Sequence, residues 1–456
     1  MPVPDLPIPA APSPARRLAF AALKEIYQGG FADVVLHRHL QRTTISGPDR
    51  PFATELVYGI VRRQRTLDAL IDQLGTKKAQ QQPLELRIVL HLGLYQLRYL
   101  SHVPPSAAVN TSVDLVKAIG LPRLSGVVNG ILRQYLRLQG EGTDPLLLPT
   151  DAIAALGIRH SFPDWLVALW LEAIGPEATD ALCDWLNQSP TIDLRVHSLR
   201  ATVDTVEAAF TTAGIATTRL PGLPWALRLV GHSGSIREMP GYDNGWWTVQ
   251  DASAQWVSYL VDPQPDQVVI DACAAPGGKA AHLAALMEDT GTIWACDRTP
   301  SRLKKIQQTC DRLGLKSIHT LVGDSTTLTR FEGQGDRVIV DAPCSGLGTL
   351  HRHADARWRQ TPETIQELVQ LQQNLLDRAA TWVKPGGTLV YATCTLHPAE
   401  NEAQVNRFLQ THPDWHILPP APESSLAAST QPEGWVKIWP HEQGMDGFFM
   451  ARMGRA

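Results

Sequence analysis

The first 140 residues of the chain place apolar side chains three or four positions apart, which is the spacing of an amphipathic α-helix. These apolar stripes occupy residues 18–26, 56–74, 86–97, 109–116 and 127–132. Pro104 and Pro105 interrupt the pattern, and proline ends helices. The pattern predicts an all-helical domain over residues 15–140.

A linker rich in Gly, Pro and Leu follows at about residues 138–150, and the pattern is mixed from there to residue 240. Helical spacing appears at residues 165–173, 178–186 and 203–213, and residues 191–196 alternate as a strand does. A small α+β domain is expected over residues 151–240.

From about residue 250, short apolar runs alternate with amphipathic segments. Strands are predicted at residues 268–270, 292–296, 318–322, 337–340 and 388–393, and helices at 279–287, 300–313 and 361–383. This alternation is typical of an α/β fold with a parallel, doubly wound sheet, in which ligands bind at the carboxyl ends of the strands. Residues 241–456 are expected to form this domain.

The charge is unevenly distributed along the 456 residues, whose formal net charge is -4. Residues 15–137 contain 17 Lys and Arg against 8 Asp and Glu, a net charge of +9, so the rest of the chain carries -13. Such asymmetry favours binding of a polyanion by the basic part. An ordinary basic helical domain explains it about equally well.

The six cysteines are scattered and show no C-x-x-C spacing, which argues against a zinc site and a dithiol redox motif and suits a reducing compartment. The first 14 residues are proline-rich and do not resemble a signal peptide. Because no stretch approaches about 18 apolar residues, we expect a cytoplasmic protein that does not associate with membranes.

A glycine-rich turn, D-A-C-A-A-P-G-G-K at residues 271–279, follows the first strand of the α/β region and opens a helix. Glycines let the backbone approach a ligand closely. The turn matches neither the G-x-G-x-x-G fingerprint nor the spacing of a phosphate loop. On its own it predicts a ligand without identifying it.

Two acids end the next strands. Asp297 lies 19 residues after Gly278, about where an acid commonly accepts hydrogen bonds from ribose hydroxyls. Its alternative role is to cap the helix that starts near Pro300. Asp324 follows the third strand and could accept from an adenine amino group, although an acid there is more often an ordinary loop residue.

Two cysteines also follow strands, Cys344 in D-A-P-C-S-G (residues 341–346) and Cys394 in T-C-T (393–395). A buried cysteine usually acts as a small hydrophobic residue, and we interpret Cys183, Cys296 and Cys310 in that way. A pair at the strand ends of one cleft is harder to explain by packing and favours a chemical role.

Together these motifs resemble those of the bacterial RNA cytosine-C5 methyltransferases. D-G-F-F at residues 446–449 is similar to their C-terminal signature, and G-V-V-N-G-I-L-R at 126–133 resembles their NusB-like N-terminal domain. The combination resembles the RsmB (Fmu/Sun) family of small-subunit rRNA methyltransferases over nearly the whole chain after residue 15.

The resemblance implies a Rossmann-like methyltransferase domain that uses S-adenosylmethionine to methylate carbon 5 of a cytosine in 16S rRNA, free or in an assembly intermediate. It implies a Cys394 nucleophile and a role for Cys344 in product release. We expect a monomer, no metal, and cofactor contacts from Cys273, Ala274, Ala275, Pro276, Gly277, Gly278, Lys279, Asp297, Asp324 and Asp341.

Two further residues are candidates for the chemistry. Asp341 is expected to hold the cytosine edge or the methionine part of the cofactor, and in its protonated form it would stabilise a covalent adduct. Lys279 is expected to supply positive charge near the target or to favour a thiolate. A lysine that merely begins a helix and faces solvent is the alternative.

Candidate RNA contacts are less specific. Arg62, Arg63 and Arg65 form a basic cluster that would bind phosphates, unless it is only a solvated helix face. Trp246 and Trp247 would stack on a base, unless they pack in the core.

Two other functions compete. A nucleotide-dependent dehydrogenase would use the same kind of sheet but needs the glycine fingerprint that is absent here and gives the two cysteines no role. A non-catalytic RNA-binding or antitermination factor fits the helical region but leaves the C-terminal motifs unexplained.

Overall fold

The computed structural model describes residues 13–45, 47–231 and 234–455. Most of the proline-rich N-terminal stretch, which does not resemble a signal peptide, lies outside the described residues. The chain divides into two units. The first contains the residues up to Gln188 together with Leu350–Arg359, and the second contains Ser189–Thr349 and the residues from Gln360 onward. Among the residues described, no helix combines the length and the apolar character that crossing a bilayer requires.

The first unit is helical, as the apolar stripes predict. Its helices are α1 (Pro14–Tyr27), α2 (Ala32–Arg42), α3 (Asp49–Leu74), α4 (Leu84–Tyr99), α5 (Pro105–Ala118), α6 (Ser125–Gly140), α7 (Ala152–His160) and α8 (Asp164–Trp185). Helix α8 is kinked at Gly175, where φ is 76°, just before Pro176. The stripes face one another in the core, with Leu23, Leu56, Leu90 and Leu132 fully buried.

The segment Leu350–Arg359, which ends in the short helix α13 (Ala356–Arg359), is anchored inside the helical unit. The buried guanidinium of Arg357 donates hydrogen bonds to the carbonyl oxygens of Arg62, Ser161, Leu186 and Leu350 and to Oδ1 of Asn187. A buried cation is tolerated when its donors are satisfied in this way.

The predicted basic cluster on α3 is not a free surface. Arg62 is only 6% exposed and donates to the carbonyl oxygen of His351 at 2.8 Å, so it is neither a phosphate-binding residue nor part of a solvated face. Arg65 forms an ion pair with Asp164 at 2.7 Å, and Arg63 lies over the ring of Tyr99. Apolar periodicity did not reveal this burial because it ignores arginines that face the core.

The second unit begins with a four-stranded antiparallel sheet. Its strands are β1 (Asp193–Val196), β2 (Ala216–Arg219), β3 (Ala226–Val230) and β4 (Trp247–Val249), in the order β2-β3-β1-β4, and helix α9 (Val203–Thr212) contacts β2. Trp247 is fully buried, packs against Phe210 and donates to the carbonyl oxygen of Pro240. Core packing is therefore its role, and the expectation that it stacks on a base is wrong.

The larger sheet has eight strands: β5 (Val268–Asp271), β6 (Thr292–Asp297), β7 (Ile318–Val322), β8 (Gly335–Asp341), β9 (Val383–Thr393), β10 (Trp415–Ile417), β11 (Val436–Ile438) and β12 (Phe448–Arg455). Its helices are α10 (Ala252–Val261), α11 (Gly278–Leu286), α12 (Pro300–Leu313), α14 (Pro362–Trp382), α15 (Glu402–Thr411) and α16 (Pro440–Gln443).

The strand order is β10-β12-β9-β8-β5-β6-β7, with β11 paired to β12. The five strands β9, β8, β5, β6 and β7 are parallel, which confirms the doubly wound fold, while β12 pairs antiparallel with β9, and β10 and β11 pair antiparallel with β12. The chain proceeds outward from β5 to β7 and then returns to β8, so the strand order reverses between β5 and β8. A ligand crevice is expected at the carboxyl ends beside this switch point.

Candidate active site

A cavity of about 290 Å³ lies at the carboxyl ends of the parallel strands. It is lined by Ala272, Cys273, Ala275, Asp297, Arg298, Arg302, Gly323, Asp324, Ser325, Asp341, Ala342, Pro343, Cys344, Leu371, Leu375 and Cys394. Residues that follow β5, β6, β7, β8 and β9 therefore meet in one place. The structure brings together seven of the predicted site residues here, and they are separated by up to 121 positions in the sequence.

The glycine-rich turn leaves β5 and enters α11. Gly277 has φ of 102°, and a Cβ atom there would lie 3.0 Å from a side-chain carbon of Ile306, so glycine meets both the backbone and the packing requirement. Cys273 and Ala275 line the cavity directly. Ala274, Pro276, Gly277 and Gly278 shape the turn behind them, and Ala274 donates to the carbonyl oxygen of Cys296 at 2.9 Å.

A buried arginine that the sequence analysis did not single out supports this turn. Arg195 lies on β1, is 2% exposed, and donates from Nη1 to the carbonyl oxygen of Gly278 at 2.7 Å and to Oε1 of Gln250. Burial lowers its pKa to about 9. Its signal in the sequence is weak, because an arginine within a short strand usually faces solvent.

Two carboxylates lie along the cavity where the sequence predicts them. Asp297 accepts from the backbone N–H of Thr299 at 2.8 Å and pairs with Arg302 at 3.1 Å. The N-cap of α12 is Thr299, so the alternative in which Asp297 caps this helix is wrong. Asp324 accepts from the backbone and the hydroxyl of Thr326 on Oδ1, and these bonds lower its pKa.

Another carboxylate, Asp271, begins the glycine-rich motif and was not singled out from the sequence; it lies next to Ala272, which lines the cavity, but does not line the cavity itself. It is 1% exposed, and its Oδ1 accepts from the backbone N–H of Cys273 at 3.2 Å. Within the described part of the chain, its Oδ2 has no hydrogen-bond partner. Burial, and secondarily the nearby Asp341, raise its pKa to about 7. A buried acceptor without a donor suits a ligand that brings hydrogen-bond donors.

The two strand-end cysteines face each other. Strands β8 and β9 are parallel neighbours, and Asp341 is in register with Ala392, so the loops that follow them are adjacent. The Sγ atoms of Cys344 and Cys394 are 3.4 Å apart, and the backbone N–H of Gly348 donates to the carbonyl oxygen of Cys394. The hydrogen bond to the second thiol and burial raise the pKa of Cys344.

Lys279 and Asp341 form an ion pair at the cavity, with 2.6 Å between Nζ and Oδ2. The lysine side chain is only 12% exposed and its Nζ lies 5.1 Å from the ring of Phe448, so the solvent-facing alternative is wrong. Burial would lower the pKa of Lys279, but Asp341 outweighs burial and raises it. The ammonium therefore stays charged beside the acid.

The remaining cysteines have the packing role expected of them. Cys183, Cys296 and Cys310 are at most 2% exposed and belong to the hydrophobic cores. Cys273 contributes to the cavity wall, and burial raises its pKa well above the usual value, which argues against a thiolate there.

Three family models match the chain: 16S rRNA methyltransferase RsmB/F over residues 258–454, the NusB family over 13–137, and the ferredoxin-like domain of RsmF/B-like methyltransferases over 162–234. A probable ribosomal RNA small subunit methyltransferase B of Synechocystis sp. is 50% identical over 448 residues, 97% of this chain and 99% of the relative. The protein of the same name in Bacillus subtilis is 34% identical, covering 96% and 98%.

Solved structures agree with these matches. The crystal structure of the protein PH0851 superposes with a TM-score of 0.80 at 26% identity, covering 97% of this chain and 98% of that one. A methyltransferase homologue from Pyrococcus horikoshii superposes with a TM-score of 0.59 at 27% identity, covering 68% and 100%.

Proposed function

Because the chain belongs to the 16S rRNA methyltransferase RsmB/F family, we propose that it methylates carbon 5 of one cytosine in 16S rRNA through a covalent cysteine–cytosine adduct. Membership of the family establishes an S-adenosylmethionine-dependent rRNA methyltransferase and excludes the dehydrogenase and the non-catalytic factor. The position on the base and the covalent adduct are the proposal.

The observation that carries the proposal is the pair of thiols 3.4 Å apart at one end of the cavity. Carbon 5 of cytosine is too weak a nucleophile to attack a methyl group unaided. Addition of a thiolate to carbon 6 removes the aromatic 5,6 double bond and makes carbon 5 electron-rich, which is nucleophilic catalysis. Transfer to a ring nitrogen or a ribose oxygen would need no such thiol.

In the proposed reaction the Sγ of Cys394 forms a bond to carbon 6, and the displaced electron pair is delocalised through carbon 5 towards the ring nitrogen. S-adenosylmethionine would supply an electrophilic methyl group, whose bond to sulfur breaks as its bond to carbon 5 forms, so that S-adenosylhomocysteine leaves. Carbon 5 then carries both the new methyl group and a proton. Transfer of that proton to a base restores the double bond and breaks the bond from carbon 6 to sulfur. We assign this release to Cys344, whose Sγ is in contact with that of Cys394.

Asp341 and Lys279 are proposed to act on the base as a pair. A proton shared between the carboxyl group of Asp341 and the ring would stabilise the adduct. The ammonium of Lys279, 2.6 Å from Asp341, holds that carboxyl group in place and supplies positive charge where the ring gains electrons.

The side of the cavity formed by Asp297, Asp324 and the glycine-rich turn, called the carboxylate side below, is proposed to hold the methyl donor. Asp297 would accept from the ribose hydroxyls, Asp324 from the adenine amino group, and the turn from Cys273 to Lys279 would contact the methionine part. The buried Asp271, next to the lining residue Ala272, supports this assignment, because its Oδ2 has no partner among the described residues and an ammonium or hydroxyl group of the donor would satisfy it.

The RNA must present an unstacked cytosine to this cavity. We propose that the NusB-like domain at residues 15–140 and the α+β domain at 151–240 bind the surrounding RNA, either free or in an assembly intermediate. The net charge of +9 over residues 15–137 supports this role. We further propose that the protein acts as a monomer in the cytoplasm.

The test is to incubate the protein with S-adenosylmethionine carrying a tritiated methyl group and with 16S rRNA from a strain that lacks the enzyme. Digestion to nucleosides should then give labelled 5-methylcytidine. Bisulfite sequencing of rRNA from that strain, with and without the wild-type gene, should locate one cytosine. Label in any other nucleoside would contradict the proposal while leaving the family unchanged.

A further inference from the structure

A buried carboxylate, Glu400, lies directly behind the thiol pair but does not line the cavity. It ends a short turn, Pro398–Glu400, six residues after Cys394, and it is 0% exposed. Among the residues described, no lysine, arginine or histidine forms an ion pair with it, and burial raises its pKa. A buried carboxylate without a cation is costly unless hydrogen bonds stabilise it.

Four donors surround this carboxylate. Oε1 accepts from the backbone N–H of Ser345 and from Nε2 of Gln372, each at 2.9 Å. Oε2 accepts from the hydroxyl of Ser345 and from that of Thr395, the latter at 3.2 Å. The two hydroxyl groups are also within 2.7 Å of each other. One side chain thus joins the residue after Cys344 to the residue after Cys394.

The neighbouring contacts hold the same two segments from their other sides. Asn401 accepts from the hydroxyl of Thr393 at 2.5 Å and donates from Nδ2 to the carbonyl oxygen of Thr395 at 2.9 Å. Gln372 donates to the carbonyl oxygen of Pro343 as well as to Glu400. The residues on both sides of Cys394 and of Cys344 are therefore tied to one buried network.

We propose that Glu400 is a positioning residue that holds the thiols of Cys344 and Cys394 in contact by clamping Ser345 and Thr395. The inference rests on the proposed function, because the two thiols need a fixed position relative to each other only if one forms the adduct and the other helps to release it. A misplacement of about 1 Å in such a pair costs about 100-fold in rate.

The first test compares kcat of three variants. Glu400→Ala removes every contact of the clamp and should lower kcat about 100-fold, with the KM for S-adenosylmethionine within twofold of wild type. Glu400→Gln should recover at least tenfold of that loss, because its carbonyl oxygen accepts from Ser345 N–H and its amide donates to the hydroxyl groups. Glu402→Gln is the matched control and should stay within twofold of wild type, since Glu402 pairs with Lys437 and takes part in none of the hydrogen bonds described for Glu400.

The second test measures the thiol geometry without RNA. Diamide oxidises two adjacent thiols to a disulfide and is itself reduced to the hydrazine, and peptide mapping identifies the Cys344–Cys394 bond. Wild type and Glu402→Gln should form it rapidly, whereas Glu400→Ala should form it at least tenfold more slowly. If Glu400→Ala does not fold, both tests use the double variant Ser345→Ala with Thr395→Val instead. This variant keeps the carboxylate and removes both hydroxyl groups that bind it.

If Glu400→Ala, or the double variant that replaces it, keeps either its kcat or its rate of disulfide formation within threefold of wild type, the inference is overturned. If wild type produces no 5-methylcytidine, the proposed function fails and the disulfide rate alone decides whether Glu400 positions the thiols. If wild type produces it and Glu400→Ala is equally fast, the clamp fails and the proposed function remains.

Discussion

The two sides of the cavity, the thiol side with Cys344 and Cys394 and the carboxylate side with Asp297 and Asp324, differ in how their polar groups are hydrogen-bonded. On the thiol side, the segments that carry Cys344 and Cys394 are joined behind the thiols by hydrogen bonds through Glu400, Asn401 and Gln372, although Oε1 of Gln372 has no partner in the described residues. On the carboxylate side, acceptor capacity is left over, since Oδ2 of Asp271 has no partner in the described residues and Thr326 donates both of its hydrogen bonds to Oδ1 of Asp324.

This difference separates binding from chemistry. A side with spare acceptors suits a ligand rich in donors, such as a nucleoside with an amino acid tail, and its residues should act on affinity. A side whose two cysteine segments are held together by internal hydrogen bonds suits a reaction that needs fixed atoms, and its residues should act on the rate.

The largest effect is expected on the thiol side. Cys394→Ala removes the nucleophile and should lower methyl transfer by about 10⁴-fold or more, because carbon 5 is no longer activated. The dissociation constant for S-adenosylmethionine, measured by calorimetry, should change less than twofold. A large change in that constant would show that the two sides are not separate.

Cys344→Ala should reduce turnover about 100-fold by a different route, because proton removal from carbon 5 slows while adduct formation continues. A protein–RNA complex that survives denaturing electrophoresis should accumulate. Adding Cys394→Ala to the same chain should abolish that band. If the band instead appears with Cys394→Ala alone, the roles of the two cysteines are reversed.

Asp271 should make the stability of the fold depend on pH. Its pKa is about 7 in the folded chain against an ordinary 3.8, so the folded state holds the proton more tightly between these values. The contribution of Asp271 to the free energy of unfolding should therefore be largest below about pH 4 and should fall as the pH rises to 7. Between pH 5 and pH 8 the loss is about 2 to 3 kcal/mol.

Urea unfolding of the wild type and of Asp271→Asn at pH 5 and pH 8 measures this contribution, since the amide cannot ionise. The variant should lose about 2 to 3 kcal/mol less than the wild type between the two pH values. Parallel behaviour of the two proteins would mean that Asp271 is ionised in the fold at neutral pH.

The smallest effect is expected from a change at Asp297, on the carboxylate side. Asp297→Asn should raise the dissociation constant for S-adenosylmethionine about tenfold, the cost of weakening a hydrogen bond to a charged group, and leave kcat at saturation within about twofold. Asp311→Asn is the control, because Asp311 is exposed on α12, accepts a hydrogen bond from Gln307 of the same helix and does not line the cavity. An equal effect of both changes would remove Asp297 from the binding side.

The sequence was sufficient for the parts of the molecule that depend on local pattern. Apolar periodicity predicted α1, α3, α4, α5, α6 and α8 of the first unit but missed α2 and α7, and the alternation of apolar runs predicted the five parallel strands. Because parallel strands end on one edge of the sheet, the motifs that follow β5 to β9 had to meet, which is why Cys344 and Cys394, 50 positions apart, were expected in one cavity.

What escaped prediction is the burial of polar side chains. Arg62, Arg195, Asp271 and Glu400 are almost fully buried, yet hydrophobic patterns treat every charged residue as exposed. Their positions depend on partners that are distant in sequence, such as the carbonyl oxygen of Gly278, which lies 83 residues after Arg195. Strands β10 and β11 were missed because three residues are too few to show a period, and β12 was missed because it is buried on both faces and shows no alternation.

The chain path through Leu350–Arg359 restricts how the protein can be divided. This segment belongs to the helical unit although its neighbours on both sides in the chain belong to the other. A fragment that stops at residue 188 would lack Arg357, and the carbonyl oxygens of Arg62, Ser161 and Leu186 would lose its guanidinium donors. A truncated gene product therefore cannot report on the helical unit alone, and dissecting the two units requires point substitutions in the whole chain or a fragment that carries the ten-residue segment as a graft.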